Sequence, residues 1–199
     1  MKNFLFIALL IFSNLLSAQC GLYLTQEDYL NKKLTDERKN GFRLNSTVRI
    51  YNRGDKSSEY IVDFTKVWGY RFGLTDYRII DGKPRAILSA GEFYFFGDIE
   101  DKFYFDKKEK RIMFSYDASN FGLVSKGING EMKKSTSYKV LYEILGITDV
   151  KAFKKELMDW IKKNDLRSGG LPSEVVDCYN NRFPASVVKL PRYEVSEED

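Results

Sequence analysis

The 199-residue chain contains no histidine. That absence removes the usual general base, the usual proton shuttle and the commonest metal ligand together. Ser-His-Asp and Cys-His catalysis are excluded. With two cysteines in the whole sequence, a closed zinc site built from Cys and His is excluded as well. No cofactor motif stands out, and SGGLPS near Gly169 lacks the lysine and the preceding strand that a phosphate cradle requires. Carboxylates are the remaining catalytic currency.

A large excess of one charge is also missing. With 32 basic and 28 acidic residues the formal net charge is +4, too near balance to argue for a nucleic-acid partner. Long apolar runs are scarce too. The run from Phe4 to Phe12 breaks at Ser13 and Asn14 and falls short of the ~20 residues of a membrane-spanning helix. Lys2 precedes it, and Ser17 and Ala18 follow Leu15 and Leu16, so residues 1–18 read as a secretory signal peptide cut after Ala18. The expected location is periplasmic or extracellular.

Cys20 is then the second residue of the mature chain. A lipobox wants a small residue directly before its cysteine, and this chain has Gln19. Cys20 and Cys178 are an even pair in an oxidising compartment, which predicts a disulfide between them. Closing nearly the whole chain, that bond would contribute at most about 5 kcal/mol. A lipid-anchored Cys20, which would bring membrane contact, and two unpaired thiols are the alternatives.

Aromatic residues are plentiful at 15%, nearly all Tyr and Phe, which favours strands. The expectation is an α+β fold: an antiparallel β-meander of six to eight strands over about 42–116, then two or three helices over about 137–182 packed on it. Residues 19–193 form a single domain in this reading, with 194–199 as a disordered tail. In detail, Thr25 and Asp28 suit a capping box for a short helix over 26–32. FRLNSTVRIY alternates as one half-buried strand, Asn52 to Asp55 turns it, and Glu59 to Phe64 pairs back. WGYRFG, DYRII, PRAILS and EFYFFG continue the meander, with Asp81-Gly82 as the best type I′ turn signal. KFYFD and RIMFSY form a further hairpin.

From Ser135 the spacing becomes helical. Tyr138, Leu141, Tyr142 and Leu145 precede Gly146, a helix stop. A longer helix over 149–163 carries Val150, Phe153, Leu157, Trp160 and Ile161 on one stripe, with Thr148 as the expected cap. A last helix begins with Ser173 as cap and carries Cys178 toward the core.

The opening YLTQEDYLNKKL, the segment VWGYRFGLTDYRIIDGKPRAIL and the closing GEFYFFGD together resemble small exported proteins of unassigned function common in Bacteroidetes-type bacteria. The likeness covers about residues 21–98. It implies a cell-envelope or secreted location and a compact sheet, and it brings no catalytic residue.

Three clusters remain as candidates. Asp98, Glu100, Asp101 and Asp106 would serve a glycan-active enzyme or a calcium ion, but their spacing matches no known ligand order and reads as a solvated turn, so no metal site is assigned. Lys151, Lys154, Lys155, Lys162 and Lys163 face an anionic membrane or partner, or simply water. In FYFF successive side chains point to opposite faces, so unless helices cover both, either Phe93 and Phe95 or Tyr94 and Phe96 are left open, and Trp68, Tyr70, Tyr77, Tyr94 and Phe96 form a candidate aromatic surface for a protein, peptide or glycan. The function this supports best is a non-enzymatic binding or scaffolding module. A carboxylate-dependent enzyme or an inhibitor or immunity-type partner is the alternative.

Overall fold

The structure, a computed structural model, describes residues 20–38, 40–44, 47–52, 55–73, 75–97, 101–106, 111–116, 121–166 and 170–186. For 38, 40–44, 47, 51–52, 56, 58, 101–106 and 111–116 the description is confined to the backbone. The predicted signal peptide and the acidic tail lie outside the described residues. The fold is α+β: a main antiparallel sheet of eight strands, two smaller sheets, and three of the helices late in the chain. The chain divides into two compact units that part between Pro84 and Arg85.

In the first unit, β1 (Cys20–Tyr23) lies between β2 (Thr35–Arg38) and β6 (Gly69–Phe72), and β6 pairs onward with β7 (Thr75–Ile80). The sheet therefore begins at Cys20, earlier than the periodicity suggests, because β1 is buried along its length and has no polar alternation to reveal it. Helix α1 (Gln26–Leu30) bridges β1 and β2. Its capping box forms as predicted, with Thr25 Oγ1 accepting from Asp28 N at 3.1 Å and Asp28 Oδ2 accepting from Thr25 N at 2.9 Å.

FRLNSTVRIY is two strands rather than one. β3 (Asn40–Leu44) and β4 (Thr47–Asn52) pair antiparallel, and β5 (Asp55–Ile61) adds to β4, making a three-stranded sheet. Along β4 the alternation holds: Val48 and Ile50 are buried, and Arg49 between them is exposed and ion-paired with Glu59 of β5. Asp81 and Gly82, after β7, take positive φ of 51° and 70°, as a type I′ turn demands.

In the second unit β8 (Lys83–Ser89), which begins at the boundary, precedes β9 (Phe93–Gly97), β12 (Leu123–Lys126) and β13 (Lys133–Lys134), with β8, β9, β12 and β13 adjacent in that order. β10 (Asp101–Asp106) and β11 (Arg111–Tyr116) pair antiparallel as predicted, but as a two-stranded sheet of their own and not as part of the meander. Three helices follow: α2 (Tyr138–Leu145), α3 (Val150–Lys163) and α4 (Pro172–Asn180). Gly146 closes α2 at φ +70°, a position that favours glycine. Asp149, not Thr148, caps α3 by accepting from Ala152 N at 2.9 Å. α4 starts one residue before Ser173 because Pro172 fits the first helical turn, where no N–H is needed.

The predicted stripe of α3 is the core stripe. Phe153, Leu157 and Ile161 are buried with Phe93, Phe95, Val124, Leu141, Leu145, Val175 and Val176, and Val150 and Trp160 pack against that cluster. The helices thus cover the β9 face that carries Phe93 and Phe95. At roughly 25 cal/mol per Å² of apolar surface removed from water, side chains of this size each stabilise the unit by about 1.5 to 3 kcal/mol.

Candidate functional site: an apolar groove on the helical unit

The predicted aromatic surface is not open. Tyr70, Tyr77, Tyr94 and Phe96 are buried, and Trp68 is half-buried. Tyr70 stacks on Tyr77 at 4.7 Å and on Phe64 at 6.0 Å, while Tyr94 stacks on Phe96 at 6.0 Å. Alternation along FYFF does separate two faces, but both are covered, so aromatic residues on the second face serve packing. Trp68 stacks on Tyr29 at 4.9 Å, with the Arg78 guanidinium 5.4 Å from its ring.

Around these rings the first unit holds a buried carboxylate. Asp76, with a side chain 0% exposed, accepts from Tyr23 Oη at 2.8 Å, from Arg71 Nε and Nη2 at 2.8 and 3.0 Å, and from Lys32 Nζ at 3.0 Å. Burial pushes its pKa up, but the Arg71 hydrogen bonds and the charges of Lys32 and Arg71 outweigh that and hold it below the usual carboxylate range. Burial, reinforced by the Asp76 charge, pushes the Tyr23 phenol up. An ionised carboxylate with four donors on its two oxygens has no free lone pair aimed at a substrate. This cluster locks α1 and the β6–β7 hairpin onto β1.

The proposed Cys20–Cys178 disulfide does not form. Both thiols are free and buried, Cys20 at 2% exposure in β1 and Cys178 at 1% in α4. Burial pushes the Cys20 thiol up despite a hydrogen bond from the backbone at Gly73, and burial pushes Cys178 up to about 12. Two cysteines buried in separate cores satisfy themselves as small apolar side chains. Of the acidic cluster, Asp98 and Glu100 lie outside the described residues, and Asp101 and Asp106 open and close β10. Among the described residues no group of three or more Asp, Glu, Cys or His is placed to hold a metal ion, and no helix is long and apolar enough to cross a membrane.

The second unit carries a concavity between α2 and α3. It encloses about 330 Å³ and is lined by Tyr138, Tyr142, Lys154, Leu157, Met158 and Gly170. Helical spacing explains the arrangement: Tyr138 and Tyr142 lie one turn apart on α2, and Leu157 and Met158 both lie one turn beyond Lys154 on α3. Tyr138 is fixed rather than free, donating from Oη to the Gly170 carbonyl at 2.9 Å and packing edge-on to Phe121 at 5.0 Å. Gly170 has φ +90°, so a side chain there is strained, and its backbone is what brings the carbonyl to the phenol. Tyr142 rests edge-on against Phe153 of the core at 5.8 Å, and burial raises its phenol pKa.

The groove stays open to water along two apolar side chains. Tyr138 is 41% exposed and Met158 is 61% exposed. Among the described residues no carboxylate lines the walls, and the one charged group on them is Lys154. Sequence reasoning put Tyr138 at helical spacing with Leu141, Tyr142 and Leu145, left Lys154 to a membrane, a partner or water, and passed over Met158. The available signal was Met158 itself, an apolar side chain off the apolar stripe and set among lysines.

Comparison of the chain with family models, with curated proteins and with solved structures found no match.

Proposed function

We propose that this chain is an exported envelope or secreted protein that acts as a non-enzymatic binding module, with the α2–α3 groove as its binding site. The observation that carries this reading is the groove's composition among the described residues: rigid aromatic and flexible apolar walls left in water, one cation at the rim, and no acid. Concave, mostly apolar sites with a few placed polar groups are where ligands and partner side chains bind. Exposed Met and Tyr suit that use, since Met adapts its shape and Tyr offers large contact area at low entropic cost. Export is supported by the layout of residues 1–18 and by the resemblance to small exported proteins of Bacteroidetes-type bacteria.

A glycan-active enzyme would need two acids about 5 to 9.5 Å apart in one cleft. Neither the groove walls nor the four-donor shell of Asp76 supplies such a pair.

The test is fractionation of host cells followed by native co-purification of the wild-type chain and of Met158→Glu. Recovery of a chain beginning at Gln19 outside the cytosol, with a partner held by the wild type and lost by the variant, supports the reading. An uncut cytosolic chain overturns export, and equal recovery with both proteins overturns the groove as the site.

A further inference from the structure

Resting on the groove as binding site, we infer that its occupant is an acidic peptide segment that inserts one aromatic or aliphatic anchor side chain between Tyr138 and Met158. The volume sets the first part. At about 330 Å³ the cavity is at the lower end of ligand pockets, enough for one large side chain and too small for a folded ligand or several residues. Its walls match an anchor: Tyr138 and Tyr142 offer ring faces 6.3 Å apart between centroids, and Leu157 and Met158 offer aliphatic contact opposite.

Charge sets the second part. Lys151, Lys154, Lys155 and Lys162 fall on one solvent stripe of α3 by helical spacing, with Met158 inside that stripe. All four are exposed, and with Lys163 none makes an ion pair among the described residues. The acids of α3 do not neutralise them. Glu156 accepts from Arg182 Nε at 3.0 Å and from Arg182 Nη2, which leaves Asp159 beside the stripe. On α2, Lys139 and Glu143 balance each other in charge. An apolar socket bordered by uncompensated cations selects an apolar anchor flanked by carboxylates, and such complementarity governs on-rate and specificity more than raw affinity. An anionic membrane shares the charge but not the shape: one methionine and one half-exposed tyrosine at a socket give less inserted apolar face than an interfacial helix uses.

The test uses the full mature chain with its methionine methyls labelled with carbon-13, and follows Met158 by NMR. The probes are a pentapeptide with a central tryptophan flanked by glutamates, the same peptide with lysines for glutamates, N-acetyltryptophanamide alone, and equimolar phosphatidylglycerol–phosphatidylcholine vesicles. The expected result is that the acidic peptide shifts the Met158 methyl and binds about tenfold or more tighter than the basic one, with the preference lost in Lys154→Glu and weakened by about 0.5 M salt. A shift with N-acetyltryptophanamide but no acidic preference overturns the acidic partner and leaves the groove reading standing. No shift with any soluble probe overturns both, and perturbation by vesicles alone overturns the peptide in favour of a lipid surface. Lys154 is exposed, so its reversal leaves the fold intact, which unchanged dispersion of the other methyl signals will verify.

Discussion

The side-chain amide of Asn180 bonds the backbone of Phe93 as a neighbouring strand would: Oδ1 accepts from Phe93 N at 2.8 Å and Nδ2 donates to Phe93 O at 2.8 Å. The same Nδ2 reaches Ser89 Oγ at 3.2 Å. A residue at the last turn of α4 therefore fixes β9 at the point where its chain enters the core. All three residues are buried, so no water can replace the amide.

Asn180→Ala would leave both polar groups of Phe93 buried and unmet, at a cost of about 2 to 4 kcal/mol. Urea denaturation followed by the two tryptophans will measure it. Gly91 is part of the same joint: a Cβ there would lie 2.8 Å from Asn180 Cγ and 2.9 Å from Nδ2. Gly91→Ala should then destabilise by about 1 to 3 kcal/mol in the wild type and much less in the Asn180→Ala background. Strict additivity of the two changes would show that they do not share a contact.

Asp76 makes stability depend on acid pH. Its folded pKa is lowered, so its contribution is fully present above the ordinary carboxylate pKa, near 4, and is lost as pH falls through the lower folded value. Asp76→Asn leaves Arg71 and Lys32 without their carboxylate and should cost about 3 kcal/mol at neutral pH. The wild-type melting temperature should fall more steeply as pH drops below about 4 than that of the variant. Parallel profiles for the two proteins would remove Asp76 from the account.

The thiols should be silent in the native protein. Buried and raised, with Cys178 at about 12, both stay protonated at neutral pH and out of reach of a thiol reagent. Alkylation without reductant should add nothing to the native mass and two adducts in guanidinium. A Cys20 at 2% exposure inside a three-strand neighbourhood has no room for a diacylglyceryl thioether, so the native protein should carry no lipid on Cys20. A lipid-sized mass increment on the N-terminal peptide would require β1 to unpair.

Tyr138→Phe keeps the ring in the groove wall and removes the bond to the Gly170 carbonyl. The expected loss is about 1 kcal/mol, with the Met158 methyl signal little changed, because the phenol is part-exposed and water can take over the carbonyl. A loss well beyond that would mean the bond also orders the segment between α3 and α4.

Local physics made much of this chain legible in advance. The Thr25 capping box, the Asp81-Gly82 turn, the Gly146 stop and the buried stripe of α3 each depend on neighbours within a few residues, so spacing and residue type suffice to read them. β1 escaped because a strand covered on both faces shows no alternation, and FRLNSTVRIY hid a reversal because β3 and β4 share one period. Which exposed or buried role an aromatic residue takes is different in kind: alternation separates Tyr94 and Phe96 from Phe93 and Phe95, but burial of both sets depends on what else the chain lays over them. The sequence by itself determined the α+β order, the absence of histidine chemistry and the amphipathic helices. Only the tertiary structure decided that Cys20 and Cys178 stay apart, that Asp76 is sealed by Tyr23, Lys32 and Arg71, and that Tyr138 and Met158 frame a groove. Each of those facts joins residues distant in sequence, and long-range packing rather than local preference selects such contacts.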